Sequence, residues 1–283
     1  MKISRDMKPV HMKYLALSLF VILLMSLPAS GQNNEETLPG DYATHFDQYD
    51  VKGSMVIFDL KSDRTLYFDK ERTQKRFSPA STFKIFNSLV GLETGVIPDT
   101  SYVIPWDSVK RGNYPPWHRS NSLKSAFRFS VVWYYQELAR RVGPTEMQRL
   151  ISANHYGNER IGDRIDGFWL PDYGGKLQIS QMEQIQFLKK LYREELKFSK
   201  RSQRLVKGIM FQEKKEGYSI YAKTGMASAD GIVFGWYVGW IELNESVYFF
   251  ATYLESDDYK NILSGSRQGV TLAMLDGIGA IKD

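Results

Sequence analysis

The 283-residue sequence contains no cysteine, which limits both how the fold is stabilised and what chemistry it supports. Without thiols the chain can form neither a disulfide nor a thiolate metal site, so its stability depends on a hydrophobic core. Histidine is also scarce: His11, His45, His118 and His155 share no H-x-H or H-x-x-x-H spacing. The sequence therefore disfavours a zinc hydrolase and predicts that no metal is bound.

A strong excess of one charge is absent as well. Lysine and arginine number 37 against 32 aspartate and glutamate residues, for a net charge of +5. Four of the bases and one of the acids lie in residues 1–31, so the remainder carries 33 bases against 31 acids. Such a balance is not typical of a nucleic-acid-binding surface, and we expect no nucleic-acid partner. The hydrophobic fraction of 43% excludes a disordered chain and can fill one sizeable core.

The longest apolar run of the sequence is short for a helix that spans a membrane. The stretch from Tyr14 to Leu27 follows a basic start and precedes the small residues Ala29, Ser30 and Gly31. These three parts predict a signal peptide over residues 1–31, with Met12 as an alternative start. We therefore expect a periplasmic or secreted protein without stable membrane association after cleavage. A retained anchor is the alternative.

The order of strand and helix patterns predicts an α+β fold. It would be an antiparallel sheet flanked by N- and C-terminal helices, with an inserted all-helical subdomain. Residues 32–283 would form one domain, with a sheet subdomain at about 41–80 and 216–283 and a helical subdomain at about 81–215. Strands are predicted at 53–61, 65–69, 218–223, 232–242 and 246–253. Helices are predicted at 81–93, 125–142, 145–154, 180–196, 199–211 and 263–281.

Ser81 and Lys84 form the one S-x-x-K motif of the chain. Pro79 disfavours helical conformation at Ser78, so a helix should begin near Ser81, where its dipole favours developing negative charge. Three residues apart on a helix, the two side chains share a face. We predict that Ser81 is a nucleophile and Lys84 its base, which requires a lowered lysine pKa. A simple helix-capping serine is the alternative.

The tripeptide Lys223-Thr224-Gly225 follows the predicted strand 218–222. A lysine, a hydroxyl and a glycine that permits close backbone approach suit a ligand lying along the edge of a sheet. A solvated lysine at a strand end is the alternative.

These motifs, together with Ser130-Val131-Val132 between them, resemble the signature of the penicillin-recognising serine enzymes. The S-x-V form is similar to class D, the oxacillinase-type β-lactamases, and the E-x-x-L-N box of class A is absent. The resemblance extends from about Gly53 to the C-terminus. Its most specific stretches are residues 78–84, 125–127, 135–140, 156–158, 166–170, 179–180 and 223–225.

The resemblance implies a serine β-lactamase fold and hydrolysis of a small-molecule β-lactam through an acyl-enzyme on Ser81. It implies that Lys84 is N-carboxylated by carbon dioxide or bicarbonate and acts as general base, with no other cofactor. Burial among apolar side chains would favour the neutral amine that carbon dioxide needs.

The same resemblance assigns the remaining roles. Trp169 and Val132 would stabilise the carbamate, and the backbone N–H groups of Ser81 and Met226 would form the oxyanion hole. Ser130 would relay a proton to the leaving nitrogen with help from the charge of Lys223. The predicted substrate-binding residues are Thr224, Gly225 and Arg267.

Three alternatives stay open at this stage. A penicillin-binding protein or a β-lactam sensor domain would be acylated without turnover, and a Ser-His-Asp hydrolase would use other residues. The absence of G-x-S-x-G weakens the last. Residues 170–178 form a longer segment than class D leads us to expect, which would change the deacylation rate or the substrate range in a direction that the sequence does not indicate. Neither the preferred β-lactam nor the oligomeric state follows from the sequence.

Overall fold

A computed structural model describes residues 34–263 and 265–282; the predicted signal peptide lies outside these residues. A seven-stranded sheet runs through the described part, in the order β1-β3-β2-β11-β10-β9-β8. Its strands are β1 (Glu35–Thr37), β2 (Lys52–Asp59), β3 (Arg64–Phe68), β8 (Phe211–Lys215), β9 (Tyr218–Ala229), β10 (Ile232–Leu243) and β11 (Val247–Ser256). Short pairs are formed by β4 (Arg76–Phe77) with β7 (Ile179–Ser180) and by β5 (Val103–Ile104) with β6 (Asn121–Ser122).

The sheet is antiparallel as predicted except at one edge, where β1 makes it mixed. Strand β1 pairs parallel with β3, with Glu35 opposite Thr65 and Thr37 opposite Tyr67, whereas the other neighbours are antiparallel. The polar residues before Gly40 carry no strand pattern of their own. Their pairing with β3 makes β1 one edge of the sheet.

Helices follow the predicted plan. They are α1 (Thr44–Asp47), α2 (Lys70–Thr73), α3 (Lys84–Glu93), α4 (Leu123–Arg128), α5 (Val132–Val142), α6 (Pro144–Ala153), α7 (Gln181–Tyr192), α8 (Lys200–Met210), α9 (Tyr259–Leu263) and α10 (Ser266–Gly277). Single 3₁₀ turns cover Gly40–Ala43, Ala80–Phe83, Pro115–Trp117 and Pro171–Tyr173. The α+β class is therefore confirmed, and the predicted last helix is shorter and preceded by α9.

Alternation along the strands divides the core between the two sheet faces. Val56, Trp236 and Phe249 point to the face covered by α7, which contacts β2, β10 and β11. Met55 and Phe250 point to the opposite face, which α1 and α10 cover. This period of two explains why near-continuous apolar strands such as 234–241 are buried on both sides.

The predicted helix 125–142 is wrong as one element, because it breaks at residues 129–131. Val131 N–H donates to the carbonyl of Ala126 over 2.9 Å, which closes α4, and Ser130 takes a left-handed φ of 53°. A left-handed φ costs free energy in a residue other than glycine, and such strain is commonly found at functional positions. Helical periodicity continues through the break, so the pattern could not reveal it.

The prediction that Lys223-Thr224-Gly225 ends a strand is also wrong. The tripeptide lies in the middle of the twelve-residue β9, which pairs with β10 as far as Ala229 opposite Ile232. A two-residue turn follows, with positive φ at Asp230 and Gly231. Asp-Gly is the residue pair that such hairpin turns prefer, so it extends the strand beyond its apolar part.

Gln181 joins the helical layer to the sheet at a buried position. Its side-chain N–H donates to the backbone carbonyls of Ser54 over 2.8 Å and Ala251 over 2.7 Å, and its carbonyl accepts from the Ser54 hydroxyl over 2.5 Å. No helix within the described ranges is long and apolar enough to cross a membrane.

We expect Gln181→Leu to lower the free energy of unfolding by about 1–3 kcal/mol, because it leaves the buried Ser54 hydroxyl without its acceptor. Chemical denaturation measures the change. The double variant Gln181→Leu/Ser54→Ala should recover part of the loss, since both polar partners are then gone. A double variant at least as unstable as the single one contradicts this account.

Candidate active site

Ser81 and Lys84 lie at the junction of the tight turn 80–83 and α3. Lys84 Nζ donates to Ser81 Oγ over 2.6 Å, so the predicted pair is in direct contact. Ser81 lies in 3₁₀ geometry and Lys84 is the first α-helical residue, which places the start of α3 slightly later than predicted. Ala80, immediately before Ser81, has a left-handed φ of 46°. Backbone strain thus adjoins the nucleophile on its N-terminal side.

Burial controls the charge of Lys84. The side chain is completely buried, and this desolvation holds the pKa of the amine well below its usual range; the positive charge of Lys223 lowers it further. Tyr135 places its ring 5.5 Å from Nζ, and its hydroxyl lies 2.9 Å from Ser88 Oγ, which donates to the Lys84 carbonyl. A neutral amine has a lone pair, so Lys84 can accept the proton of Ser81.

Ser130 and Lys223 form a second serine–lysine contact. Lys223 Nζ donates to Ser130 Oγ over 3.2 Å and to the Thr224 carbonyl over 2.9 Å, and it lies 5.6 Å from the centre of the Phe127 ring. Burial, followed by repulsion from Arg267, lowers the pKa of Lys223 to about 7. This lysine can therefore exchange its proton near neutral pH through the hydroxyl of Ser130.

Gly225 permits β9 to approach the nucleophile turn. A Cβ at this position would lie 3.1 Å from both the Pro79 carbonyl oxygen and the Thr82 methyl group. The next residue, Met226, is thereby held in a strand packed against the turn that carries Ser81. This arrangement brings together the two residues predicted to supply oxyanion-hole N–H groups.

Arg267 reaches the same strand from α10. Its Nη1 donates to the Gly225 carbonyl over 3.1 Å, and the neighbouring Gly235 leaves room for its side chain. Burial lowers the pKa of the guanidinium from its usual value, and Nε is buried without a hydrogen-bond partner among the described residues. Together with half-buried Thr224, Arg267 provides a cationic, hydrogen-bonding edge that suits a carboxylate.

Trp169 is fully buried and stacks on Phe83, with ring centroids 5.3 Å apart. Its indole N–H is buried and has no acceptor within the described residues. Val132 begins α5, packs on the same core and is half-buried. A buried donor without an acceptor is costly, so the pocket around Trp169 favours an additional acceptor group.

The loop 170–178 closes on itself next to Trp169. Gly175 N–H donates to the Leu170 carbonyl and Leu177 N–H to the Phe168 carbonyl, each over 3.0 Å. Its turn 171–173 packs against β9, and a polar cavity of about 570 Å³ lies between the loop and the tip of the β9–β10 hairpin. The loop therefore forms one wall of this cavity. Tyr156 is buried in the core.

The structure thus brings Ser81, Lys84, Ser130 and Lys223 into one cluster. One residue that the sequence did not indicate is Trp117, whose indole N–H donates to the Phe129 carbonyl over 3.0 Å, next to Ser130. Trp117 and Phe129 are twelve positions apart in the chain, so no local sequence pattern could have linked them.

Comparison with known proteins agrees with this geometry. The family model "Penicillin binding protein transpeptidase domain" matches residues 32–271. β-Lactamase OXA-48 of Klebsiella pneumoniae is 38% identical over 266 residues, which cover 93% of this chain and 97% of the relative. A crystal structure of the class D β-lactamase YbXI from Nostoc superposes with a TM-score of 0.79 at 41% identity, covering 84% of this chain and 98% of that one. This chain belongs to the class D serine β-lactamases.

The sequence of this class D β-lactamase is also similar to that of a regulatory protein. The regulatory protein BlaR1 of Bacillus licheniformis is 32% identical over 255 residues, which cover 88% of this chain but 41% of the regulator. The resemblance predicted from the motifs is confirmed at the level of family and enzyme class.

We expect Lys223→Met to stabilise this β-lactamase more at pH 6 than at pH 9. At pH 6 Lys223 is protonated in both folded and unfolded protein, and the folded state bears the full cost of a buried charge. Between the folded-state pKa of about 7 and the ordinary lysine pKa, the unfolded protein binds more protons than the folded protein. The free energy of unfolding of the wild type therefore rises with pH, and the stability that the variant gains becomes smaller. Urea denaturation at both pH values measures this.

The control is Lys190→Met, which removes an equal charge from an exposed position. If both variants show the same pH dependence, the burial of Lys223 is not the cause.

Proposed function

We propose that the protein hydrolyses β-lactam antibiotics through a Ser81 acyl-enzyme, with N-carboxylated Lys84 as general base for acylation and deacylation. The observation that supports it most is the 2.6 Å contact between Ser81 Oγ and a completely buried lysine amine. OXA-48 and the Nostoc YbXI are β-lactamases, and the cluster of two serine–lysine contacts supplies the groups that this reaction needs.

Acylation forms a bond to Ser81, breaks the lactam C–N bond and transfers a proton to the leaving nitrogen. Ser81 Oγ bonds to the lactam carbonyl carbon while its proton passes to the Lys84 base, and the N–H groups of Ser81 and Met226 stabilise the developing oxyanion. The lactam C–N bond then breaks, and Ser130 gives its proton to the nitrogen and is reprotonated from Lys223. Thr224 and Arg267 hold the substrate carboxylate, and Gly225 lets β9 lie close enough to align it.

The base is the finer part of the proposal. A carboxylated Lys84 would supply an anionic oxygen base to take protons from Ser81 and from the hydrolytic water. Two features of this chain fit that group: a buried amine whose pKa is lowered, and the Trp169 N–H that lacks an acceptor. Val132 and the Phe83–Trp169 stack exclude water around it. Carbon dioxide or bicarbonate is then the one required cofactor.

We further propose that the mature enzyme acts in the periplasm or outside the cell after loss of residues 1–31. The three-part pattern of that segment supports this, and the substrate is a small molecule that reaches it there.

A β-lactam sensor is the second candidate function. It rests on the similarity to BlaR1, which shares this length of chain within a longer regulator. A sensor would be acylated at Ser81 and would stay acylated, so turnover separates the two functions.

Purified protein lacking residues 1–31 should hydrolyse a chromogenic cephalosporin with many turnovers per active site. Ser81→Ala should lose about 10⁴-fold or more, because the nucleophile is gone, whereas Ser101→Ala at an exposed position should not. Absorbance kinetics and mass spectrometry of the trapped acyl-enzyme measure both. One equivalent of stable acyl-enzyme without turnover would establish the sensor instead.

Added bicarbonate should raise the rate of protein prepared without carbon dioxide. Labelling with ¹³C-bicarbonate should give one carbamate resonance, which Lys84→Gln abolishes and Lys190→Gln retains.

Trp169→Phe removes one hydrogen bond, so it should raise the bicarbonate concentration needed for half-maximal activity about tenfold. Full activity and no carbamate signal in saturating bicarbonate would disprove a carboxylated base.

A further inference from the structure

Ser130 lies in a turn that its own backbone does not favour. Its φ of 53° is left-handed, and the residue is neither glycine nor asparagine, so another contact must help to hold it. The hydroxyl must stay within reach of Lys223 Nζ, now at 3.2 Å, for a proton to pass between them. A small rotation of the turn would break this contact.

Two tryptophan indoles brace the turn from the outside. Trp117 Nε1 donates to the carbonyl of Phe129, the residue directly before Ser130, over 3.0 Å. Trp133 Nε1, from the first turn of α5, donates to the carbonyl of Trp117 over 2.8 Å. These two hydrogen bonds link Phe129 to Trp117 and Trp117 to Trp133. They therefore bridge the two ends of the segment 129–133, which contains Ser130.

The segment that carries Trp117 is itself anchored. Asn121, which is buried, donates to the carbonyls of Pro116 over 3.0 Å and Arg119 over 2.8 Å. Tyr114 contacts both the Trp117 and the Phe129 rings edge-on, at 6.3 and 6.5 Å. The indole therefore acts from a fixed support rather than from a free loop.

We propose that Trp117 is a positioning residue for Ser130, and that its indole N–H holds the left-handed turn in the orientation needed to protonate the leaving nitrogen. This role rests on the proposed β-lactam reaction. It assigns Trp117 to acylation specifically, because the leaving nitrogen departs in that half of the reaction and deacylation does not use it.

The test compares Trp117→Phe with Trp106→Phe. The control indole is also half-buried and donates to a backbone carbonyl, that of Val109 over 3.1 Å; its ring stacks on His118, and among the described residues none of its hydrogen bonds reaches the Ser130 turn. Stopped-flow kinetics with a chromogenic cephalosporin separate the acylation and deacylation rates. Trp117→Phe should slow acylation about tenfold and leave deacylation unchanged, while Trp106→Phe changes neither.

A double-variant cycle shows whether the effect passes through Ser130. In the Ser130→Ala background, Trp117→Phe should cause no further loss, since there is no hydroxyl to orient. The same tenfold loss in that background, an equal loss of deacylation, or acylation equal to that of Trp106→Phe overturns the proposal.

Amide hydrogen exchange tests the brace without any β-lactam. The N–H groups of Ser130 and Val131 donate to the carbonyls of Phe127 and Ala126 and should exchange faster in Trp117→Phe than in Trp106→Phe. Unchanged exchange overturns the positioning role even if acylation slows. If the wild-type protein is not acylated at all, the proposed function fails, and the exchange result alone decides the brace; acylation without turnover leaves all acylation rates measurable.

Discussion

The burial of one lysine amine is the constraint on which the rest of the site depends. Lys84 points into the core that joins the sheet to the helices, and no carboxylate neutralises it within the described part of the chain. Desolvation disfavours its charged form, so the amine can serve as a base or react with carbon dioxide. Each surrounding feature, from the Phe83–Trp169 stack to the Tyr135 ring, keeps water away from this nitrogen.

A second lysine makes the arrangement asymmetric. Lys223 is also buried and donates to the Ser130 hydroxyl and the Thr224 carbonyl, and burial followed by repulsion from Arg267 lowers its pKa to about 7. The two amines repel each other when both are protonated, which separates a base from a proton donor. Two similar serine–lysine contacts can therefore do opposite tasks in one catalytic cycle.

Left-handed backbone occurs next to one catalytic serine and at the other. Ala80 precedes Ser81 and Ser130 is itself left-handed, and both positions are supported by tryptophans from other elements. Trp236 donates to the Ser78 carbonyl over 2.9 Å on one side, and Trp117 donates to the Phe129 carbonyl on the other. A rigid aromatic framework thus offsets the cost of two unfavourable turns and keeps both hydroxyls directed into the site.

The sequence by itself determined the α+β class, the family and the pairing of Ser81 with Lys84, because these depend on short-range spacing and on alternating apolar residues. It did not reveal the parallel strand β1, the break at Ser130 or the central position of Lys223 in β9. Those features depend on the pairing of β1 with β3, on a left-handed residue within a helical pattern and on a hairpin turn beyond the apolar run. The role of Trp117 and the contact between Ser130 and Lys223 were decided only by the tertiary structure, because these hydrogen bonds form between segments that are distant in the chain.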